Sequence, residues 1–563
     1  MELLIKNGYV VDPANGIDCE KLDIAVRGGK IVEEVSSSAK ILDASNMLVM
    51  PGGVDIHSHI AGSKTNLARV LRPEDHFRDF ERRTALTRSG VGHSVPSTYT
   101  TGYRYARMGY TTVIEPATPP LKARHTHDEL NDTPIIDKAC FPLFGNNWHV
   151  MEYLKNGDLE LCAAYLSWML RATKGYAIKI VNPGGVEAWH WGGNVVGLDS
   201  EVPHFGITPR EIVRGLCKVN KMLKLPHAIH VHPNNLGKPG NYLTTIKTME
   251  CVKDLAEGAS IHITHCQFTS FKGEDWSTLR SGAQEIARYV NRNDHVTIDM
   301  GQIIFTATTT MTGDGPFEYI LHQISGRKWV NKDVEAETGA GVVPVVYKRR
   351  SFVNATQWAI GLELALLIED PWKVYLTTDH PNGGPFTAYP RVVSWLMSKR
   401  ARERTMSRMN QSAARKTILQ SLEREYSFEE IAIVTRAGTA KALGLKAKGH
   451  LGVGADADIS IYRINPKEID PSRDYRAVRK ALRRAAYTVK DGQIVVKDGE
   501  IKEVVQGRTF WIDSRVPKDL EEKIHRELSK SFREYYTVGM ENYFIGEGEL
   551  ARSSPIYVGE AKV

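Results

Sequence analysis

Two histidines one residue apart, His57 and His59, close the apolar run GGVDIHSHI. Residues i and i+2 of a strand share a face, so both imidazoles point the same way at the strand's C-terminal end. Neutral imidazole binds zinc and similar divalent ions. Lys179 stands inside another apolar run, GYAIKIVN. Burial lowers the pKa of such an amine and leaves a neutral nucleophile. That amine can take up carbon dioxide as a carbamate, whose two oxygens can bridge two cations. The other reading is a lysine that reaches out at the strand end. The run HAIHVHPNN offers His227, His230 and His232, and ASIHITHCQF offers His262 and His265 on opposite faces. His232 and His265 stand closest to the C-terminal ends and are the expected ligands; the spare histidines read as core or supporting groups. KVYLTTDHPNGGPF stops an apolar run at Asp379, before a Pro/Gly-rich loop. A carboxylate there suits a catalytic acid/base, and equally an Asx turn or helix cap.

These residues need strands to carry them. Between about residues 52 and 445, short apolar runs alternate with longer helical stretches, and eight such runs can be picked out. Strands alternating with helices predict a parallel sheet, and eight predict a closed (β/α)8 TIM-like barrel with its active site at the C-terminal mouth. The gap of about 75 residues between the seventh and eighth runs is too long for a plain connection. It holds GDGPFEYILHQISGRKWVNKDVEAETGAG, expected as an insertion over the mouth. Residues 1–51 and 446–512 are short strands with turn signals at Asn7-Gly8, Gly28-Gly29, Asp491-Gly492 and Asp498-Gly499. They predict one small β-sandwich built from both chain ends. Residues 513–563 read as a helical extension and a polar tail.

Composition bounds the function. Hydrophobic residues at 42% and charged residues at 25% describe an ordinary soluble globular chain. A net charge of +7 is mild for 563 residues and does not point to nucleic acid. One local excess, KRARERTMSRMNQSAARK from Lys399 to Lys416, is either a solvated helix face or a docking surface for a partner or acidic ligand. The six cysteines are scattered without a CxxC pair, which excludes a zinc finger or iron–sulfur motif. No leader-like segment stands out, and no run approaches ~18 uncharged apolar residues, so no membrane span is expected. The reading is a cytoplasmic protein with reduced thiols.

Taken together, strand ends one, four, five, six and eight carry His-x-His, Lys, His, His and Asp. Over about residues 1–510 this order resembles the amidohydrolase superfamily. The resemblance implies a binuclear centre of two divalent ions, zinc being expected. Its ligands would be His57, His59, Lys179 as N6-carboxylysine, His232, His265 and Asp379, with Asp379 also the catalytic acid/base. PGGVDIHSHIAGSKTNLAR, GYTTVIEPATPP, GYAIKIVNPGG, HVHPNNLG, ITHCQF and TTDHPNGGPF further resemble the catalytic A-type chains of formylmethanofuran dehydrogenases. That family joins formate to the amine of methanofuran, giving N-formylmethanofuran, or runs the reverse hydrolysis. The implied partners are iron–sulfur subunits and a tungsten or molybdenum formate dehydrogenase-like subunit, which supplies formate through an internal passage. A related A-type chain belongs to the formyltransferase/hydrolase complex of methylotrophic bacteria and shares these motifs. A stand-alone cyclic amidase, dihydroorotase- or hydantoinase-like, would share the metal set but lack the VNPGG and HPNGGPF context. A silent assembly scaffold would be marked by a missing ligand, and none is missing. Asn182, Asn234 and Gln302 are candidates to hydrogen-bond substrate, or turn formers. Lys64, with Arg69 and Arg72, is expected to line the route of methanofuran's acidic tail.

Overall fold

The alternating runs fold as two parallel sheets in the computed structural model, which describes residues 2–255, 258, 260–332 and 340–561. Gly53–Asp55, Tyr110–Thr118 and Asp137–Pro142 lie side by side in the first. Lys179–Val181, Ile229–His232, Ile261–Ile263, Val296–Asp299 and Val374–Tyr375 form the second. Isolated parallel bridges Leu143–Lys179 and Ser58–His380 link one sheet to the other at both ends. These strands are near-continuously apolar because both faces are covered; Ile180, Val231, Ile263 and Ile298 are fully buried. Parallel neighbours require crossovers, and helices supply them. The helix Pro209–Met222 shows why: Thr208 and Glu211 form a capping box, Pro209 occupies the first turn, and Ile212, Val213, Leu216 and Val219 are buried.

Register decides which side chains meet. His230 sits opposite Lys179 on one side and His262 on the other, and His262 sits opposite Thr297. The histidines of the fifth and sixth runs therefore form a layer across adjacent strands.

Strands from both chain ends share one nine-stranded sheet, joined where Leu48–Pro51 runs antiparallel to Ile459–Tyr462. Leu3, Ile5, Val26, Val49, Ile459 and Val489 pack in its core. Gly28-Gly29, Asp491-Gly492 and Asp498-Gly499 are hairpin turns. Asn7-Gly8 is not: the strand Glu2–Asp12 runs through it, with a register shift between Ile5 and Gly8. A residue that tolerates positive φ, as Asn7 does at 62°, makes a bulge as readily as a turn.

The C-terminal end also departs from expectation. The helix Lys518–Tyr535 is present, but the stretch read as a polar tail ends in a strand, Ser553–Glu560. It pairs in parallel with Thr509–Arg515, which meets the first sheet at Lys138. This edge strand is half exposed, so it lacks the apolar run that marks a central one. The long gap before the eighth strand holds the antiparallel strands Ala307–Thr312, Val330–Lys332 and Ala340–Val346 and the helix Gly315–Ser325; its residues 333–339 lie outside the described residues. Among the described residues, no helix is long and apolar enough to cross a membrane.

Candidate metal centre

The end of the first strand is anchored before it reaches the histidines. Asp55 accepts the His57 N–H at 3.1 Å and the hydroxyls of Tyr105 and Tyr389 at 2.8 and 2.5 Å. Burial still pushes its carboxyl up to about 6. Beyond it, His57 turns Nδ1 to His230 Nε2 at 3.0 Å, and its Nε2 lies 2.9 Å from Asp379 Oδ1. His59 turns Nδ1 to Glu115 Oε1 at 3.0 Å and Nε2 toward the same Asp379 oxygen at 3.3 Å. Each ring thus has one nitrogen held from behind and the other aimed inward, the arrangement that fixes tautomer and orientation in metal-binding histidines. Burial alone would raise Glu115; Lys64 and His59 instead hold its carboxyl down at about 2.

Lys179 is buried, and its amine donates to Thr264 Oγ1 at 3.3 Å. Burial lowers it to about 7, against the pull of Asp299 and Asp379. The rings of His232 and His265 lie 4.8 Å apart, and His232 Nε2 is 3.2 Å from Asp314 Oδ2. Asn182, His265 and Asp379 have φ of 41°, 36° and 48°, left-handed values that non-glycine residues rarely adopt and that cluster at functional sites. Gly301 is required beside them, because a Cβ there would stand 2.5 Å from the Cβ of His265. Asn382 donates to Asp379 Oδ2 at 2.8 Å, leaving Oδ1 to face His57 and His59. Burial raises Asp379 above the usual carboxylate value.

His57 Nε2, His265 Nδ1 and Asp379 Oδ1 are buried without a well-aligned hydrogen bond, although the first and last lie 2.9 Å apart. His57, His265 and Asp379 offer ligand atoms within 4.8 Å of one another, as do His57, His230 and Asp299. Buried polar atoms are rarely left unpaired, and this N, N, O donor set suits zinc or a similar divalent ion. The residues fit a metal.

All six expected ligand positions converge here, although His232 contacts the group through His265. Asn182 and Asn234 stand behind His232: Asn234 donates to Asn182 Oδ1 at 2.8 Å, and Asn182 to Asp314 Oδ1 at 3.0 Å. Gln302 is elsewhere, its amide donating to the carbonyls of Ile303 and Trp358 at 3.0 Å. The expectation for Lys64 needs correction. It is buried, and its ammonium is paired with Glu115 at 2.7 Å and bonded to the Ala117 carbonyl. A cation so paired has no charge left to offer an acidic tail.

Glu115, Asp299, Asp314 and Glu318 went unselected in the sequence. Glu115 and Asp299 carried a signal, an acid inside an apolar run, which is the same anomaly that marks Lys179. Asp314 and Glu318 arrive from the insertion and carried none. A cavity of about 20 Å³ is lined by His232, His265, Glu318, Asp379 and Asn382. Leu236, Phe268, Thr310 and Phe317 line both it and an outer cavity of about 620 Å³, whose walls include Trp276, Ile320 and Val345.

The amidohydrolase family model matches residues 40–496. Protein FwdA of Methanocaldococcus jannaschii is 55% identical over 562 residues, covering 98% of each chain. The A-type chain of the formyltransferase/hydrolase complex Fhc from Methylorubrum extorquens is 37% identical over 541 residues, 94% of each. The crystal structure of that complex with methylofuran contains a chain that superposes with a TM-score of 0.89 at 34% identity, covering 99% of this chain and 100% of its own. A family match across most of the chain, relatives of near-equal length and a converging donor set lead to one conclusion: the chain belongs to the amidohydrolase family and is a metal-dependent amidohydrolase.

Proposed function

We propose that this chain condenses formate with methanofuran to N-formylmethanofuran, or hydrolyses that product, as the amidohydrolase component of a multisubunit complex. The observation that carries the reading is the set of buried atoms without well-aligned hydrogen bonds on His57, His265 and Asp379 beneath a cavity, in a chain similar end to end to one solved in a complex with methylofuran. We read the two sheets and their bridges as one (β/α)8 barrel spanning residues 52–445, with 1–51 and 446–512 forming the flanking β-sandwich. Two zinc ions would be held by His57, His59, Lys179 as N6-carboxylysine, His232, His265 and Asp379. Bound there, such ions supply an activated water and a polarised carbonyl.

The chain's own residues do the rest. Glu115 and His230 orient His59 and His57. Asp379 takes the proton of the attacking water and hands it to the leaving amine in hydrolysis; in synthesis it accepts the proton of the attacking amine. Phe268 and Phe317 exclude water along the approach and suit a flat ring next to the amide. Partners would include iron–sulfur subunits and a tungsten or molybdenum formate dehydrogenase-like subunit. Purification of the native protein tests this: two divalent ions per chain and turnover of an N-formyl amine such as N-furfurylformamide are expected. Active protein without metal would refute the centre. Copurifying formyltransferase subunits in place of redox subunits would favour the hydrolase direction, the reading that the Fhc similarity supports.

A further inference from the structure

A cleft of about 500 Å³ that shares no lining residue with the metal centre lies between the helix Tyr475–Arg483 and the helices Tyr389–Leu396 and Lys399–Met406. The first helix lines it with Arg476, Arg479, Lys480 and Arg483. Arg349, Arg391, Arg404 and Arg408 face them. No acidic residue lines it among the described residues. Among the described residues, none of these eight cations has an ion pair or a side-chain hydrogen bond, and Arg391 is crowded by Arg479, Arg349 and Arg483. Some exposed arginines elsewhere are paired with acids, as with Arg27–Glu2 at 2.6 Å and Arg210–Asp199 at 2.6 Å; what sets this cleft apart is that eight cations line one cavity. Like charges gathered with little counter-charge repel one another, so an external anion would stabilise them.

The layout selects the anion. Tyr475, Val478 and Leu482 are buried, which leaves the basic residues as a line on the outer face. At ~1.5 Å rise per residue, Arg476 to Arg483 covers about 10 Å. A line of that length matches an extended chain bearing repeated charges better than one compact anion. The guanidinium fork suits carboxylates. Trp395 and Tyr475 line the cleft at only 5% and 9% exposure, so no aromatic face is offered for stacking bases. We propose that this cleft binds an extended acidic segment of a partner protein, a run of aspartates or glutamates lying along Tyr475–Arg483.

The test uses the full chain and a fluorescein-labelled deca-glutamate peptide followed by anisotropy. Binding is expected to weaken about 10-fold between roughly 50 and 300 mM salt. The combined variant Arg476→Gln, Arg479→Gln, Arg483→Gln should weaken it at least ~10-fold while leaving melting and N-formyl amine turnover unchanged. Equal binding by the variant overturns the proposal, as does tighter binding of tripolyphosphate or of a thymidine oligonucleotide of equal charge. In the protein as isolated with its natural companions, amide exchange over residues 475–483 should be slower than in the chain alone. Equal exchange overturns the assignment, and so does protection that survives removal of the companion proteins. Loss of turnover in the native preparation would speak against the proposed reaction and leaves these readouts intact.

Discussion

Two buried clusters of ionisable groups in this chain are wired in opposite ways. At the junction of the first sheet with the end sheet, Asp137, Asp456, Asp458 and Asp491 meet Lys448, Lys490 and Arg508. Lys490 lies 3.2 Å from Asp137 and 3.3 Å from Asp458; Arg508 lies 3.0 Å from Asp137 and 2.5 Å from Asp456. Burial would raise Asp137, but Lys448, Lys490 and Arg508 hold it well below the usual carboxylate range. At the metal centre the acids and bases are as deeply buried, yet Asp379 is raised and His57 and His265 are driven down, with ring and carboxylate atoms left without well-aligned hydrogen bonds. Asp137, Asp458 and Asp491 also stand close enough to hold a cation. Three protein cations already occupy that role, so proximity of carboxylates alone does not mark a metal site. What distinguishes the two clusters is whether the protein has completed the charge balance itself.

Breaking each cluster should therefore have different consequences. The largest effect is expected from Lys179→Ala, which should abolish metal binding and turnover together while the chain stays folded, with added short carboxylates restoring part of both. Full metal occupancy in that variant, measured by elemental analysis, would exclude the lysine as a ligand. Next comes Lys448→Met. Removing one partner of a buried charge set leaves the others uncompensated, and about 3–5 kcal/mol of unfolding stability should be lost. Denaturant titration reads this, and metal content per folded chain should not change. Asp379→Asn should keep the fold and lower turnover by at least ~10²-fold, near the lower end of general acid–base contributions. Near-normal turnover would place the base elsewhere.

The smallest effect sharpens the comparison through pH. Burial holds His127 and His149 down at about 4. Their folded values lie below the unfolded value of about 6.5, so the unfolded chain takes up protons first. The stability they contribute is present above about pH 6.5 and is lost as pH falls toward 4. His149 sits among Tyr153, Tyr165, Phe532 and Tyr536, where phenylalanine can replace it. His149→Phe should flatten the fall in denaturation midpoint over that range by about one proton. An unaltered slope would mean the ring is already protonated in the fold.

Much of the centre was legible because its signals are local. Period-2 geometry alone puts His57 and His59 on one face, and a lysine in the middle of GYAIKIVN is anomalous whatever surrounds it. The eight strand-forming runs and three of the four flagged end-sheet turns were equally readable, since burial on both faces and paired turn residues leave marks within a few positions. Other features depended on partners far along the chain. The sequence by itself determined that Lys64 is a cation near the first strand; only its meeting with Glu115, 51 residues on, decided that the charge is consumed inside the protein. It determined that Lys399–Lys416 is basic; only the packing of Tyr475–Arg483 beside it turned a charged stretch into a cleft. Likewise Asp314 and Glu318 became part of the site because the insertion folds over it. The physical reason is that a side chain's type and facing are set by its neighbours in sequence, whereas its charge balance is set by whatever the tertiary fold brings within a few ångströms.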